Sequence, residues 1–241
     1  MSFDHEEVTR FNQQAHAWWD VTGPFKPLHQ MNPCRLRIIK NALCHHFNRD
    51  TSALRPLEGL HLLDVGCGGG LLTEPLTRLG ATMTGIDAGG EAILVARTHA
   101  DQMGLSIHYE QTTLEDFSKE AEPFDGIISF ELLEHLKELP PFFAALKALT
   151  KPKGLVILST LNRTPISFLG AIIAGEYLLK WVPKGTHTWS KFVRPAELAQ
   201  YLEKEGFSIQ KFFGMTYKPL TNEWQESQAI SMNYGVMAAL L

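Results

Sequence analysis

The chain is predicted to fold as an α/β protein: a seven-stranded, mostly parallel sheet with helices on both faces and an antiparallel hairpin at its C-terminal end. Three observations carry this prediction. Apolar strand-like runs alternate with amphipathic helical stretches between residues 60 and 160, the pattern of a parallel sheet with crossover helices. The run Leu63-Asp64-Val65-Gly66-Cys67-Gly68-Gly69-Gly70 leads from a buried strand through a glycine-rich turn into a helical pattern. Two late strand-like runs, 207–217 and 230–239, have no helix between them, which makes them antiparallel neighbours.

The elements follow in chain order. Phe11, Ala15, Trp18 and Trp19 fall at helical spacing and predict a short helix over 7–19. Gly23, Pro24, Pro27 and Pro33 predict a loop over 20–33. A helix follows at 35–47, then a polar connection at 49–59. Strand 60–65 pairs with helix 71–79, and strand 81–86 with helix 91–103, which stops before Gly104. Strands 105–110 and 124–130 come next, then helix 139–149, strand 154–160 and helix 195–205, which stops at Gly206. Residues 165–182 break the rhythm, being longer than a crossover needs. Ile166, Phe168, Leu169, Ile172, Ile173 and Trp181 are among their apolar residues, and Glu176 and Lys180 are the only charges. This segment is predicted to be a helical insertion. One domain over 1–241 is therefore expected, with an N-terminal cap over 1–58 and an insertion over 165–187.

Composition excludes several classes. The chain has 241 residues, 44% apolar and 20% charged, which is ordinary globular usage. A net charge of −4 with scattered Lys and Arg gives nothing that points to a nucleic-acid partner, and none is expected. Three cysteines, Cys34, Cys44 and Cys67, form no C-x-x-C pair and fit a reduced, cytoplasmic compartment. The first seven residues are polar and acidic and read as neither signal nor transit peptide. No 18-residue apolar stretch exists to span a membrane.

The glycine turn points to a nucleoside-bearing cofactor. Glycine lets backbone approach a ligand that side chains would exclude. Asp87 follows the loop by about 20 residues, the spacing at which an acidic group receives ribose hydroxyls. A dinucleotide fingerprint counted from Gly66 would put its third glycine at Leu71, and the carboxylate of Asp64 would repel a pyrophosphate. S-adenosylmethionine carries a sulfonium and an ammonium group instead, and Asp64 at the loop entrance suits it. A ligand-free turn and a nicotinamide site are the competing readings. Cys67 reads as a small residue tolerated in a tight turn rather than as a nucleophile.

Glu131-Leu132-Leu133-Glu134-His135 follows the fourth predicted strand, at the sheet edge where ligands bind. On a helical turn Glu131, Glu134 and His135 share one face. Such a set can hold a hard divalent cation such as Mg²⁺, can act as base and orienter, or can be a solvated helix start. The loop 110–116, with Thr113, Leu114 and Glu115, either flanks an adenine ring or is an ordinary helix cap.

With these motifs placed, the chain resembles class I S-adenosylmethionine-dependent methyltransferases, a Rossmann-like fold, and among them the O-methyltransferases of ubiquinone biosynthesis. The likeness is carried by Trp18-Trp19-Asp20, Phe25-Lys26-Pro27-Leu28-His29, Asn32-Pro33, Arg35-Leu36, Leu63 to Gly70, Glu131 to His135, Ser159-Thr160-Leu161-Asn162-Arg163 and Val182-Pro183-Lys184-Gly185-Thr186-His187. The resemblance implies methylation of polyprenyl catechols, a 2-polyprenyl-6-hydroxyphenol and 3-demethylubiquinol. It implies cofactor contacts at Arg35, Gly66, Asp87 and Phe130, beside those expected at Asp64, Gly68 and Leu114. Phe130 stands where methionine is familiar. It places a metal role, and with it catalysis, on Glu131, Glu134 and His135. A water-insoluble tail implies a bilayer surface as partner, met by 165–182 at the inner membrane, and membership of a ubiquinone-biosynthesis complex; the alternative for 165–182 is a lid helix packed on the domain without lipid contact. A non-catalytic cofactor-binding subunit would keep the glycine loop and lose the Glu131–His135 cluster.

Overall fold

The computed structural model describes residues 8–9, 12–168 and 189–241. The strands are β1 (His61–Val65), β2 (Thr82–Asp87), β3 (His108–Gln111), β4 (Phe124–Phe130), β5 (Thr150–Leu161), β6 (Phe207–Lys218), β7 (Glu223–Ser227) and β8 (Asn233–Leu240). They form one sheet in the order β3-β2-β1-β4-β5-β8-β6-β7. β1 pairs in parallel with β2 and β4, β2 with β3, and β4 with β5. β8 is antiparallel to both β5 and β6, and β7 to β6. The expected pairing of the two late strands is present. The eighth strand, β7, was not legible: Glu-Trp-Gln-Glu-Ser is polar, pairs with β6 alone and has no second sheet face to bury.

The longer helices among the described residues flank this sheet: α1 (Lys26–His46), α2 (Thr73–Arg78), α3 (Gly90–Gln102), α4 (Leu139–Ala148) and α5 (Pro195–Lys204). Strand side chains alternate between two layers. Leu62, Ile128, Leu155 and Ile157 face Ile38, Ile39 and Leu43 of α1 and Leu76 of α2. Leu63, Ile127, Val156 and Leu158 face Phe142, Phe143 and Leu146 of α4 and Leu198 and Leu202 of α5. Both faces are covered, so the central strands are apolar almost throughout.

Two expectations need correction. Residues 26–33 are not loop: α1 begins at Lys26, with Pro27 in its first turn and Pro33 inside it. Proline at the first turn removes no helical hydrogen bond. Pro33 is tolerated while Met31, Cys34 and Ile38 bury against the sheet. The N-terminal segment is not one helix either: helical residues 8–9 and 12–13 lead to a 3₁₀ turn at Ala15–Ala17, and Phe11 lies outside the described residues. Of the insertion expected over 165–187, Pro165–Ser167 forms a helical turn capped by Thr164, and 169–187 lie outside the described residues. No helix among the described residues is long and apolar enough to cross a membrane.

Parallel pairing brings the carboxyl ends of β1, β2, β4 and β5 to one edge, where a ligand crevice forms. The segment before α1 crosses this edge. Trp19 Nε1 donates to the Gly69 carbonyl at 3.0 Å, and Asn32 Nδ2 to the Leu71 carbonyl at 2.6 Å. Because Ile39 is fully buried in the α1 layer, Ile39→Ala is expected to lower the unfolding free energy by about 2–5 kcal/mol, read from urea denaturation.

Candidate active site

The glycine loop is shaped by its backbone. Gly66 and Gly68 have φ of 74° and 52°, the left-handed region that side chains disfavour. The Gly66 and Cys67 amides donate to the Ile86 carbonyl at 2.8 and 3.1 Å, which ties the loop to β2. Asp87 completes the tie: its Oδ2 accepts from the Gly68 amide at 2.9 Å and its Oδ1 from the Gly89 amide at 2.7 Å. Burial raises the Asp87 pKa and these two amides oppose that rise. Each oxygen keeps a lone pair for a ligand hydroxyl.

Asp64 is buried and accepts from Thr73 Oγ1 at 2.6 Å. Burial pushes its pKa up to about 6; Asp87 adds to the rise, and the Thr73 hydroxyl opposes it. The Cys67 thiol is pushed up by burial and by Asp87 and Asp64, so no reactive thiolate forms there. Thr113 caps the turn Leu114–Phe117 through the Asp116 amide at 3.2 Å. The Thr112 amide donates to the Asp87 carbonyl at 3.0 Å, so the Leu114 loop borders the same crevice.

Arg35 enters from α1, 5% exposed. Its guanidinium lies 5.6 Å from the Phe130 ring centroid, and Nη2 stands 3.7 Å from Glu131 Oε1. Nε and Nη2 have no hydrogen-bond partner among the described residues. Burial lowers the Arg35 pKa, and Glu131, Glu134 and Asp64 counter that; the group stays charged.

The Glu131–His135 cluster departs from expectation. Glu131 is not on a helical turn: its φ is 57°, a left-handed value for a bulky residue, costing about 1–3 kcal/mol. Only Leu133–His135 form a 3₁₀ turn. The three side chains therefore do not share one face. Glu131 Oε1 receives Ser159 Oγ at 2.6 Å and faces Arg35. Glu134 turns inward, 3% exposed, and its Oε2 receives Thr160 Oγ1 at 2.7 Å. Its Oε1 has no partner among the described residues. Burial, then Glu131, push the Glu134 pKa up to about 7. By chemistry the donor set suits a hard cation. By placement it does not fit one, for among the described residues no three His, Cys, Asp or Glu side chains gather to hold a metal. Ser159 and Thr160, which hold the two carboxylates, were missed as functional residues. Their signal was two consecutive hydroxyls at the end of an otherwise apolar strand.

A family model described as a methyltransferase domain matches residues 36–211. A ubiquinone biosynthesis O-methyltransferase of Cereibacter sphaeroides is 47% identical over 97% of this chain and 95% of its own length. One of Paramagnetospirillum magneticum is 46% identical over 95% and 92%. A mitochondrial ubiquinone biosynthesis O-methyltransferase of Arabidopsis thaliana is 45% identical over 97% of this chain and 73% of its own length. Among solved structures, a magnesium protoporphyrin IX methyltransferase of Synechocystis with bound S-adenosylhomocysteine superposes with a TM-score of 0.61 at 21% identity, over 88% of this chain and 83% of its own. A parallel sheet that presents a glycine loop and an acidic β2 end at one edge, with antiparallel strands closing its far side, defines a class I S-adenosylmethionine-dependent methyltransferase. Within that class the chain belongs to the ubiquinone biosynthesis O-methyltransferase family.

Thr160→Val keeps the shape at β5 and removes the donor to Glu134. It is expected to cost about 1–3 kcal/mol of stability at neutral pH, read as a lowered Tm against the native chain.

Proposed function

We propose that this chain moves the methyl group of S-adenosylmethionine to a catechol hydroxyl of polyprenylated ubiquinone precursors, a 2-polyprenyl-6-hydroxyphenol and 3-demethylubiquinol. Its relatives' names support the pathway. The crevice supports the donor. Asp64, Asp87, Glu131 and Glu134 crowd an edge where burial already raises three of them. That field favours a cation over a diphosphate. Arg35, with two donor nitrogens that make no hydrogen bond among the described residues, takes the methionyl carboxylate. Asp64 faces the ammonium and sulfonium end, Asp87 takes ribose hydroxyls, and Gly66, Gly68 and the Leu114 loop supply close backbone. Phe130 packs beneath Arg35.

Glu131 is the general base, and one observation carries this. Its strained backbone turns a carboxylate, 23% exposed, away from the helical path and toward Arg35 at the mouth of the crevice. There it accepts the acceptor's phenolic proton. The oxygen pair attacks the methyl carbon, the carbon–sulfur bond breaks, and its electron pair neutralises the sulfonium. Charge disappears in the transition state, so alignment and exclusion of water are the protein's main contributions. Glu134 and His135 follow Glu131 in the chain, and Glu134 is close enough for Glu131 to add to its raised pKa.

The tail fits the segment 165–182. Each buried methylene is worth about 0.8 kcal/mol, so a polyprenyl chain stays in the bilayer unless a protein surface meets it there. Ile166 and Phe168 at the start of the segment and Trp189 beyond its end are 53%, 40% and 38% exposed. We assign 165–182 to the membrane surface, with contact to partner enzymes of the same pathway. Deleting it should abolish flotation with liposomes.

Labelled-methyl transfer to a short-chain prenyl catechol tests the reading. Glu131→Gln should cut turnover at least about a hundredfold and spare S-adenosylmethionine affinity. Turnover lost to a chelator and restored by Mg²⁺ would overturn Glu131 as base and give the cluster to a cation. A cationic donor binds best to ionised Asp64, whose pKa is about 6. Calorimetry should therefore show Kd rising by up to about tenfold per pH unit below that value, with a flatter profile in Asp64→Asn.

A further inference from the structure

The N-terminal segment reaches the cofactor crevice. Two of its buried polar atoms have no hydrogen-bond partner among the described residues: Asn12 Oδ1 and Trp18 Nε1. A buried polar atom without a partner costs stability, and both of these stand at the cofactor crevice. A Cβ added to Gly89 would meet Asn12 Oδ1 at 2.7 Å and Asp87 Oδ1 at 3.1 Å. The Asn12 amide is thus beside the carboxylate that receives ribose. A Cβ at Gly68 would meet Trp18 Cη2 and Cζ2 at 2.6 Å, and one at Gly69 would meet Trp18 Cβ and Cγ at 2.6 Å. The indole therefore rests directly on the two glycines, which explains why no side chain can stand there.

Neighbouring contacts hold this segment in place. Trp18 stacks on Phe25 with ring centroids 3.9 Å apart, and its carbonyl bonds His29 Nε2 at 2.8 Å. Trp19 stacks on His99 at 3.5 Å, whose Nδ1 bonds the buried carboxylate of Glu74 at 2.6 Å. Trp18 and Trp19 are thus both held against the loop, and the orphaned Trp18 nitrogen is fixed by the stacking of its ring.

We propose that Asn12 and Trp18 form a wall of the cofactor site: Asn12 Oδ1 accepts a ribose hydroxyl alongside Asp87, and Trp18 Nε1 donates to the methionyl carboxylate. This rests on S-adenosylmethionine being the donor. The chemistry matches the two vacant roles. An acceptor beside Asp87 needs a hydroxyl donor, and ribose has a vicinal pair. An N–H donor over the glycines needs an acceptor, and the carboxylate is the strong one in the amino-acid half of the ligand.

Calorimetric titration of the full chain with S-adenosylhomocysteine and two truncated analogues tests this. Asn12→Ala should weaken S-adenosylhomocysteine about five- to tenfold and leave affinity for its 2′,3′-dideoxyribose analogue unchanged. Trp18→Phe leaves an aromatic ring to stack on Phe25 and removes the N–H together with part of the indole, a packing loss that the truncated ligand reads separately. It should weaken S-adenosylhomocysteine to a similar degree and leave 5′-methylthioadenosine, which lacks the amino-acid half, unchanged. Equal deficits with full and truncated ligands, or no deficit at all, would overturn the assignment and leave both residues to packing. Failure of the native chain to bind S-adenosylhomocysteine would instead overturn the donor itself.

Discussion

Crowded negative charge is the constraint on which this molecule turns. Parallel strands deliver Asp64, Asp87, Glu131 and Glu134 to one sheet edge, and burial already pushes Asp64 and Glu134 toward neutrality. Buried like charges are stable only when protonated, hydrogen-bonded or answered by a cation. The protein uses each device. Thr73 and Thr160 hydroxyls hold Asp64 and Glu134, backbone amides hold Asp87, and Arg35 brings a guanidinium in from α1. What these devices leave over is a demand for positive charge, and a sulfonium donor meets it. The path of α1 follows from the same constraint. A helix that began at Arg35 would leave that guanidinium on a frayed first turn, whereas one that starts at Lys26 carries it two turns deep.

Strain and support explain the acceptor side. Glu131 leaves β4 in a left-handed conformation, which neighbours must hold. Its amide bonds the Ser159 carbonyl at 3.1 Å while its carboxylate takes the Ser159 hydroxyl. One residue of β5 thus grips both ends of Glu131, and the next residue, Thr160, points to the opposite side of the strand and grips Glu134. Two adjacent hydroxyls sort two nearby carboxylates into different environments, one at the crevice and one in the core.

Much of this was readable beforehand, and the misses have physical causes. Strand 124–130 and helices 139–149 and 195–205 were placed nearly to the residue, because their apolar periods are strong and Gly206 or a proline marks an end. Pro27 and Pro33 suggested a loop where α1 runs, because a proline signal cannot weigh the burial of Met31, Cys34 and Ile38 on a distant sheet. β7 was invisible because an exposed edge strand has no apolar alternation. In the sequence Ser159 and Thr160 stand only within the string that carries the family likeness, since a hydroxyl declares no role until its partner is known.

Sequence alone determined the α/β class, the glycine turn, the acidic residue at its proper interval and the kind of cofactor they serve. Those features are local: a period, a run of glycines and a charge are each set within a few residues. Tertiary structure decided the rest. The facing of Glu131 and Glu134 depends on one left-handed φ and on hydroxyls 28 and 26 residues away, and the placement of Trp18 on Gly68 and Gly69 joins segments about 50 residues apart in the chain. Side-chain direction at such points is set by packing between remote elements, and no spacing along the chain encodes it.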